Sequence, residues 1–215
     1  MKGIRVIALV FGILLAIPAV ALAEATYWSF NDRNLIPEFG NGELTVITGT
    51  IGTISEDWGA GTAVGSVNST PAGRSLDFEY LIAAVDIVDL DISHLDFTGQ
   101  TNVTLSFAVR SDELFQLSEY LTVSYDIGGG FTGTQILATP TSDWSLRTVN
   151  FGGVLDGRAD AVIRIETFAT LDVGHHLEFD NIYAVPEPTS VAYMALGGFF
   201  LLVFFRKAPC KNLTV

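Results

Sequence analysis

One cysteine, Cys210, is all the 215-residue chain contains. The central region therefore has neither an internal disulfide nor a thiol nucleophile, and its stability must come from a core. Lysine is confined to the two ends, as Lys2, Lys207 and Lys211. From Glu24 to Glu187 the only basic residues are six arginines against 24 acids, a formal charge of 6 − 24 = −18. A field of that sign repels nucleic acid and anionic lipid, so DNA, RNA and membrane-surface binding are excluded as readings. It would attract Ca²⁺ or basic partners, or simply keep an extracellular domain soluble. Histidine is scarce too: His94, His175 and His176. There is no G-x-S-x-G elbow, no H-E-x-x-H helix and no phosphate-cradling glycine loop followed by lysine. A glycanase needs only two carboxylates across a cleft, and 24 acids always offer some pair. The chain thus reads as non-enzymatic, with a secreted carbohydrate-active hydrolase as the alternative.

Both ends carry what the middle lacks. Lys2 and Arg5 precede an apolar run, Val6 to Ile17, then Pro18 and the small-residue exit Ala21-Leu22-Ala23. This order is that of a secretory signal peptide over residues 1–23, cut by signal peptidase before Glu24. The apolar run is too short for a comfortable span of about 20 residues, which argues against an uncleaved anchor. At the other end, Pro186-Glu187-Pro188 is followed by an apolar stretch, Val191 to Phe205, and then Arg206-Lys207. Fifteen helical residues reach roughly 22 Å, short of a hydrocarbon core about 30 Å thick. Its four Phe, three Leu and two Val still favour insertion by about 3–5 kcal/mol before the glycines subtract. Arg206, Lys207 and Lys211 would stay cytoplasmic and leave the intervening domain outside.

Tripeptide, short Phe-rich span and basic stop, in that order, resemble the PEP-CTERM sorting signal of exported bacterial proteins. The resemblance covers about the last thirty residues, 185–215, and departs from the family in continuing from Ala208 to Val215 after the basic pair. It implies that Pro186, Glu187 and Pro188 are the motif on which an integral-membrane exosortase acts, with this chain as substrate. It also implies a transient inner-membrane anchor, followed by a cell-surface or extracellular location in a biofilm or exopolysaccharide matrix.

From Ala25 to Ala184 the apolar residues alternate with period two, and no 3.6-residue stripe is sustained. Val103, Leu105, Phe107 and Val109 alternate with Thr104, Ser106, Ala108 and Arg110, as in a strand with one face in a core. Leu121 to Ile127, the glycines 128–130 and Phe131 to Leu137 read as a hairpin. Further strands are expected at Tyr27–Phe30, Leu44–Thr48, Ser75–Ile82, Val85–His94, Trp144–Asn150, Ala161–Phe168 and His176–Ala184. Ten such strands predict an all-β, two-sheet sandwich over residues 24–184, flanked by the signal-peptide helix and the C-terminal membrane helix.

Phe30-Asn31-Asp32 after the opening strand, Ser124-Tyr125-Asp126 before the glycines, Trp144, and Phe179-Asp180-Asn181-Ile182 near the end resemble landmarks of jelly-roll domains related in shape to carbohydrate-binding modules. That resemblance implies a structural Ca²⁺ held by Asp180 with Asp32; carbonyls would have to complete six to eight ligands, and solvated or turn-capping carboxylates are the competing reading. His176, Glu178 and Asp180 alternate along one strand, a spacing that suits a transition metal or merely a polar solvent face. Asp86, Asp89, Asp91 and Asp96 are expected on a wet strand edge that resists pairing with other chains. Trp28, Trp144 and Tyr120 could stack on sugars, but the two tryptophans fall in strands, where burial is expected. Trp58, between Asp57 and Gly59, is expected in a loop, as an exposed ligand-stacking ring or a loop anchor. The function that follows is a structural or glycan-binding module of the cell surface, with extracellular polysaccharide as its partner.

Overall fold

Alternation becomes pairing in the computed structural model, which describes residues 25–49, 54–67, 72–81, 84–112 and 119–187. All of these lie in one unit, Ala23–Glu187. The expected signal-peptide helix, with Ala21 and Ala23, and the expected membrane segment 191–205 lie outside the described residues, as does Pro188. Among the described residues no helix is long and apolar enough to cross a membrane.

The strands are β1 (Thr26–Trp28), β2 (Glu43–Thr48), β3 (Ile54–Ala60), β4 (Arg74–Tyr80), β5 (Ala84–Leu95), β6 (Thr101–Ser111), β7 (Tyr120–Asp126), β8 (Thr132–Leu137), β9 (Ser145–Asn150), β10 (Ala161–Leu171) and β11 (His176–Glu187). They form two antiparallel sheets. One has the order β3-β4-β11-β6-β9, with β1 also paired to β11, and the other the order β2-β5-β10-β7-β8. The apolar phase of each strand faces one shared core. Leu76 and Phe78 from β4, Leu105 and Phe107 from β6, and Leu177 and Phe179 from β11 meet Val88, Leu90, Ile92, Leu121, Val123, Ile163 and Ile165 from the other sheet, all fully buried. Phe179 sits between Phe78 and Phe107, with ring centroids 6.2 and 6.1 Å away. Such tilted and edge-on pairs add about 0.5–1.5 kcal/mol to the burial of the rings. Period-two strands with one greasy face have no other way to dry it than a second sheet, which accounts for the sandwich.

The β7–β8 hairpin forms where the three glycines stand. Asp126 Oδ1 accepts the amides of Gly128, Gly129 and Gly130 at 2.7, 2.9 and 3.0 Å. Gly128 and Gly130 have φ of +100° and +92°, which side chains rarely tolerate.

Three expectations need correction. An eleventh strand, β3, occupies Ile54–Ala60 and includes Trp58, so Trp58 is not in a loop. β5 is not an edge: β2 pairs along one side and β10 along the other, which places Asp89 and Asp91 inside the sheet, while Asp86 pairs on the β10 side with Ala169. β11 runs to Glu187, three residues beyond the expected end, with Pro186 opposite Val103 and a register shift before Glu187. Proline has no amide to give a ladder, and an irregular strand end is where it is tolerated.

Candidate functional site

The outer face of the five-stranded sheet is a polar floor between aromatic walls. The register aligns Thr45, Asp91, Arg164 and Ser124 in one row, and Ile47, Asp89, Glu166, Thr122 and Ile136 in the next. Each points away from the core because Leu44, Leu90, Ile165 and Val123 hold the opposite phase. Arg164 organises the charges of the floor. Its Nε and Nη2 donate to the Asp91 carboxylate at 2.6 and 2.7 Å, and its Nη1 lies 3.0 Å from Asp89 Oδ2. The planar fork of arginine suits this two-point grip. Hydrogen bonding to Asp91 raises the Arg164 pKa further, so the guanidinium stays charged.

Asp89 is 7 % exposed, and its Oδ1 is buried without a hydrogen-bond partner. Burial is the main cause that pushes its pKa up to about 6, against the pull of Arg164 and with the added repulsion of Glu166 and Asp91. Glu166 stands directly across the ladder from Asp89, at about 5 Å between Cβ atoms for such a pair.

Rings bound the floor at both ends. Tyr120 stacks on Phe168 with centroids 5.3 Å apart, and its hydroxyl bonds Glu166. Four residues along β10, the Arg164 guanidinium lies 4.0 Å from the Phe131 ring centroid, and that ring remains 40 % exposed. At about 3.4 Å per residue, the trough between these walls is roughly 13 Å long. Flat rings beside fixed charged hydrogen-bonding groups can hold a polyhydroxylated ring by stacking and by directed bonds.

The outer face of the six-stranded sheet holds a second polar groove, of about 290 Å³, lined among others by Asp77, Arg110, Asp112, Ser142, His176 and Glu178. Its ionised groups are already matched to one another. Arg110 Nε and Nη2 lie 2.8 and 2.6 Å from Glu178 Oε1, and Ser75 Oγ donates to Glu178 Oε2 at 2.6 Å. The Arg110 guanidinium also sits 5.0 Å from the half-buried Trp144 ring. His176 Nδ1 is 3.0 Å from Asp77, while Asp112 accepts the His176 amide. Burial lowers the His176 pKa, but the hydrogen bond and charge of Asp77, with Asp112 and Glu79, outweigh it and leave it raised.

Asp180 shares the strand but not the groove. A register shift after Asp180, with Asn181 at φ +50°, turns both residues under the segment around Thr62. Asp180 Oδ2 accepts the Thr62 amide and Oδ1 the Asn181 amide, each at 2.7 Å. Asn181 donates to the Thr62 and Val64 carbonyls and accepts from the Tyr27 hydroxyl. Desolvation of Asp180 exceeds the help of those amides, and its pKa rises to about 7; Glu38 and Glu178 add to the rise. Asp32 is exposed and lines a different cavity, with Tyr27, Ser29 and Glu38. No group of three or more His, Cys, Asp or Glu able to hold a metal occurs among the described residues. Each Asp180 oxygen accepts one backbone amide, Asp32 lines a different cavity, and neither that pair nor His176-Glu178-Asp180 belongs to a group of three such residues among those described. Trp58 faces the core side of β3, half-buried, with its ring centroid 6.3 Å from that of Phe30. It anchors an edge strand rather than standing free. The Asp89–Arg164–Asp91 trio escaped sequence reasoning, because nothing in the spacing of β5 and β10 announces that they are neighbours.

No family model and no curated protein matches the chain. Solved structures of similar shape include TmCBM61 in complex with β-1,4-galactotriose (12 % identity, 74 % of this chain and 94 % of that one, TM-score 0.49). Another is the family 11 carbohydrate-binding module from Clostridium thermocellum with a mixed-linked tetrasaccharide (16 %, 77 % and 96 %, 0.45). A third is the K1 cleaved adhesin domain of Lys-gingipain from Porphyromonas gingivalis W83 (15 %, 74 % and 96 %, 0.47). The class defined here, an antiparallel two-sheet β-sandwich, rests on the strand pairing itself and not on these likenesses.

Proposed function

We propose that this chain is an exported bacterial jelly-roll module that binds extracellular polysaccharide without cleaving it, through the trough on the five-stranded sheet. The observation that carries the reading is the half-buried Arg164–Asp91 ion pair beside Glu166, a charged floor set between Tyr120–Phe168 and Phe131. Sugar hydroxyls can bond the accessible polar atoms of Asp91, Arg164 and Glu166, and the rings supply the stacking faces. Export and sorting complete the reading. Signal peptidase acts after Ala23, and an exosortase acts at Pro186-Glu187-Pro188, whose first two residues are the last rungs of β11. The confinement of lysine to the two ends and the −18 charge of the region between them support an extracytoplasmic domain.

Affinity electrophoresis of the full chain against acidic and neutral exopolysaccharides tests the binding. Retardation by at least one polymer, lost in Tyr120→Ala and reduced in Glu166→Gln, supports it; equal migration with and without every polymer refutes it. Intact-mass analysis of the exported protein, with and without a candidate exosortase, tests the sorting separately. Loss of the tail near Pro186 only when that enzyme is present is the expected result.

A second reading, a carbohydrate hydrolase, is favoured by one observation: the carboxyl with a pKa near 6, Asp89, faces a second carboxyl, Glu166, across the ladder. Retaining glycosidases use pairs about 5–5.5 Å apart. Against it, the other Asp89 oxygen is held by Arg164, which favours the ionised form. Release of reducing ends from a bound polymer would establish the hydrolase.

A further inference from the structure

At one end of the sandwich the inner faces carry oxygen atoms where the rest of the core is hydrocarbon. Asp86 lies opposite Ala169 across the β5–β10 ladder. Phe168 pairs with Tyr120 at the start of β7, and continuing that register by one residue would bring Glu119 beside Ala169. The two carboxylates thus flank the smallest residue of their row, and they are only 4 % and 6 % exposed. Thr167 occupies the same inward phase of β10 two residues earlier. From the opposite sheet, Tyr80 at the end of β4 points into the same region, and the charges of Asp86 and Glu119 both reach its hydroxyl.

Two of these four groups are unmatched. Tyr80 and Thr167 are fully buried, and neither the Tyr80 hydroxyl nor Thr167 Oγ1 has a hydrogen-bond partner. Each unmatched buried hydroxyl costs about 1–3 kcal/mol, a penalty native cores rarely accept twice in one place. Two carboxylates and two hydroxyls are all hard oxygen donors, the set that suits a group 2 cation in a flexible shell and not zinc or copper. Asp86 Oδ1 accepts the Ile87 amide at 2.8 Å and packs against Gly49, where an added Cβ would lie 2.3 Å from it; Asp86 Oδ2 is the oxygen left to face a cation.

We propose that Asp86, Glu119, Thr167 and Tyr80 form a buried site for a hard divalent cation of the Ca²⁺ class at this end of the core. It is separate from the Asp180 clasp and from the glycan trough. An ion there would tie β5, β10 and the segment leading into β7 to β4, and lock the two sheets together at this end of the core.

Thermal melting of the full chain with CaCl₂ and with EDTA, together with Tb³⁺ luminescence excited through tyrosine, tests the site. CaCl₂ should raise Tm, and Tb³⁺ emission should be quenched by competing Ca²⁺. Asp86→Asn and Glu119→Gln should each weaken Ca²⁺ binding at least tenfold. Thr167→Val keeps the shape and removes one unmatched hydroxyl. It should bind Ca²⁺ several-fold more weakly while leaving Tm in EDTA unchanged or higher, which separates ligation from folding. Asp180→Asn should keep the full Ca²⁺ response. An unchanged Tm in CaCl₂, as an ordered water alone would give, overturns the proposal. So does a Ca²⁺ response that survives Asp86→Asn or disappears in Asp180→Asn.

Discussion

Stability should fall as the solution turns alkaline, and Asp180 should be the main reason. Its carboxyl is 1 % exposed, and its pKa stands near 7 in the fold against an ordinary 3.8. A raised folded pKa means that the native state holds the proton more tightly than the unfolded chain does. The stabilisation it gives is present in the acid range and is lost as pH climbs through the folded value. For these two pKa values, the loss between pH 5 and pH 8 is roughly 2–3 kcal/mol. Asp89, raised to about 6, adds about 1 kcal/mol in the same direction, and the raised His176 shares that sign. Urea denaturation at pH 5, 6.5 and 8 reads the difference directly, because a shift of midpoint at constant slope is a change of stability. Asp180→Asn cannot titrate, so it should lose more than half of the pH dependence, although it sacrifices one of the two amide bonds and lowers stability at pH 5. A wild-type midpoint higher at pH 8 than at pH 5, or a variant with the wild-type pH slope, would refute the assignment.

Other substitutions separate packing from polar clasps. Phe179→Ala removes the ring between Phe78 and Phe107 and should cost about 3–5 kcal/mol in denaturant. Tyr27→Phe deletes only the hydroxyl bonded to Asn181 and should cost about 1 kcal/mol, with an unchanged denaturant slope. Arg164→Ala leaves Asp89 and Asp91 repelling one another; it should destabilise by about 1–2 kcal/mol at pH 8 and by less at pH 5, where Asp89 takes up a proton. Adding Asp89→Asn to that variant should return part of the loss, measured as a double-mutant cycle.

Much of the sheet architecture was legible because alternation is a local property: Val103 to Arg110 announces both its core face and its solvent face. β3 was not, because Ser55, Glu56, Asp57 and Gly59 break the pattern of an edge strand that needs only one neighbour. The aspartates of β5 looked like an edge for a related reason. Their neutralising partner, Arg164, lies 73 residues away, and only the β5–β10 ladder makes them neighbours. Trp58 was misplaced by its polar and glycine neighbours, which are compatible with a loop but sit equally well on an edge strand whose inner face touches Phe30. Asp180 was visible as a residue of interest, but its environment was not. One residue of register shift at Asn181 moves it from the groove of His176 and Glu178 to a burial beneath Thr62. Residues on a regular strand reveal their face, whereas a bulge and a long-range pairing do not.

Mapping the bound polymer residue by residue is the most direct test of the trough. Amide chemical shifts of the isotopically labelled protein, followed through a titration with whichever exopolysaccharide retards it, should move at Asp89, Asp91, Arg164, Glu166 and Tyr120. They should stay fixed at Asp77, Arg110 and His176 on the opposite sheet. Shifts confined to the His176 groove, or no shifts at saturating polymer, would contradict the account.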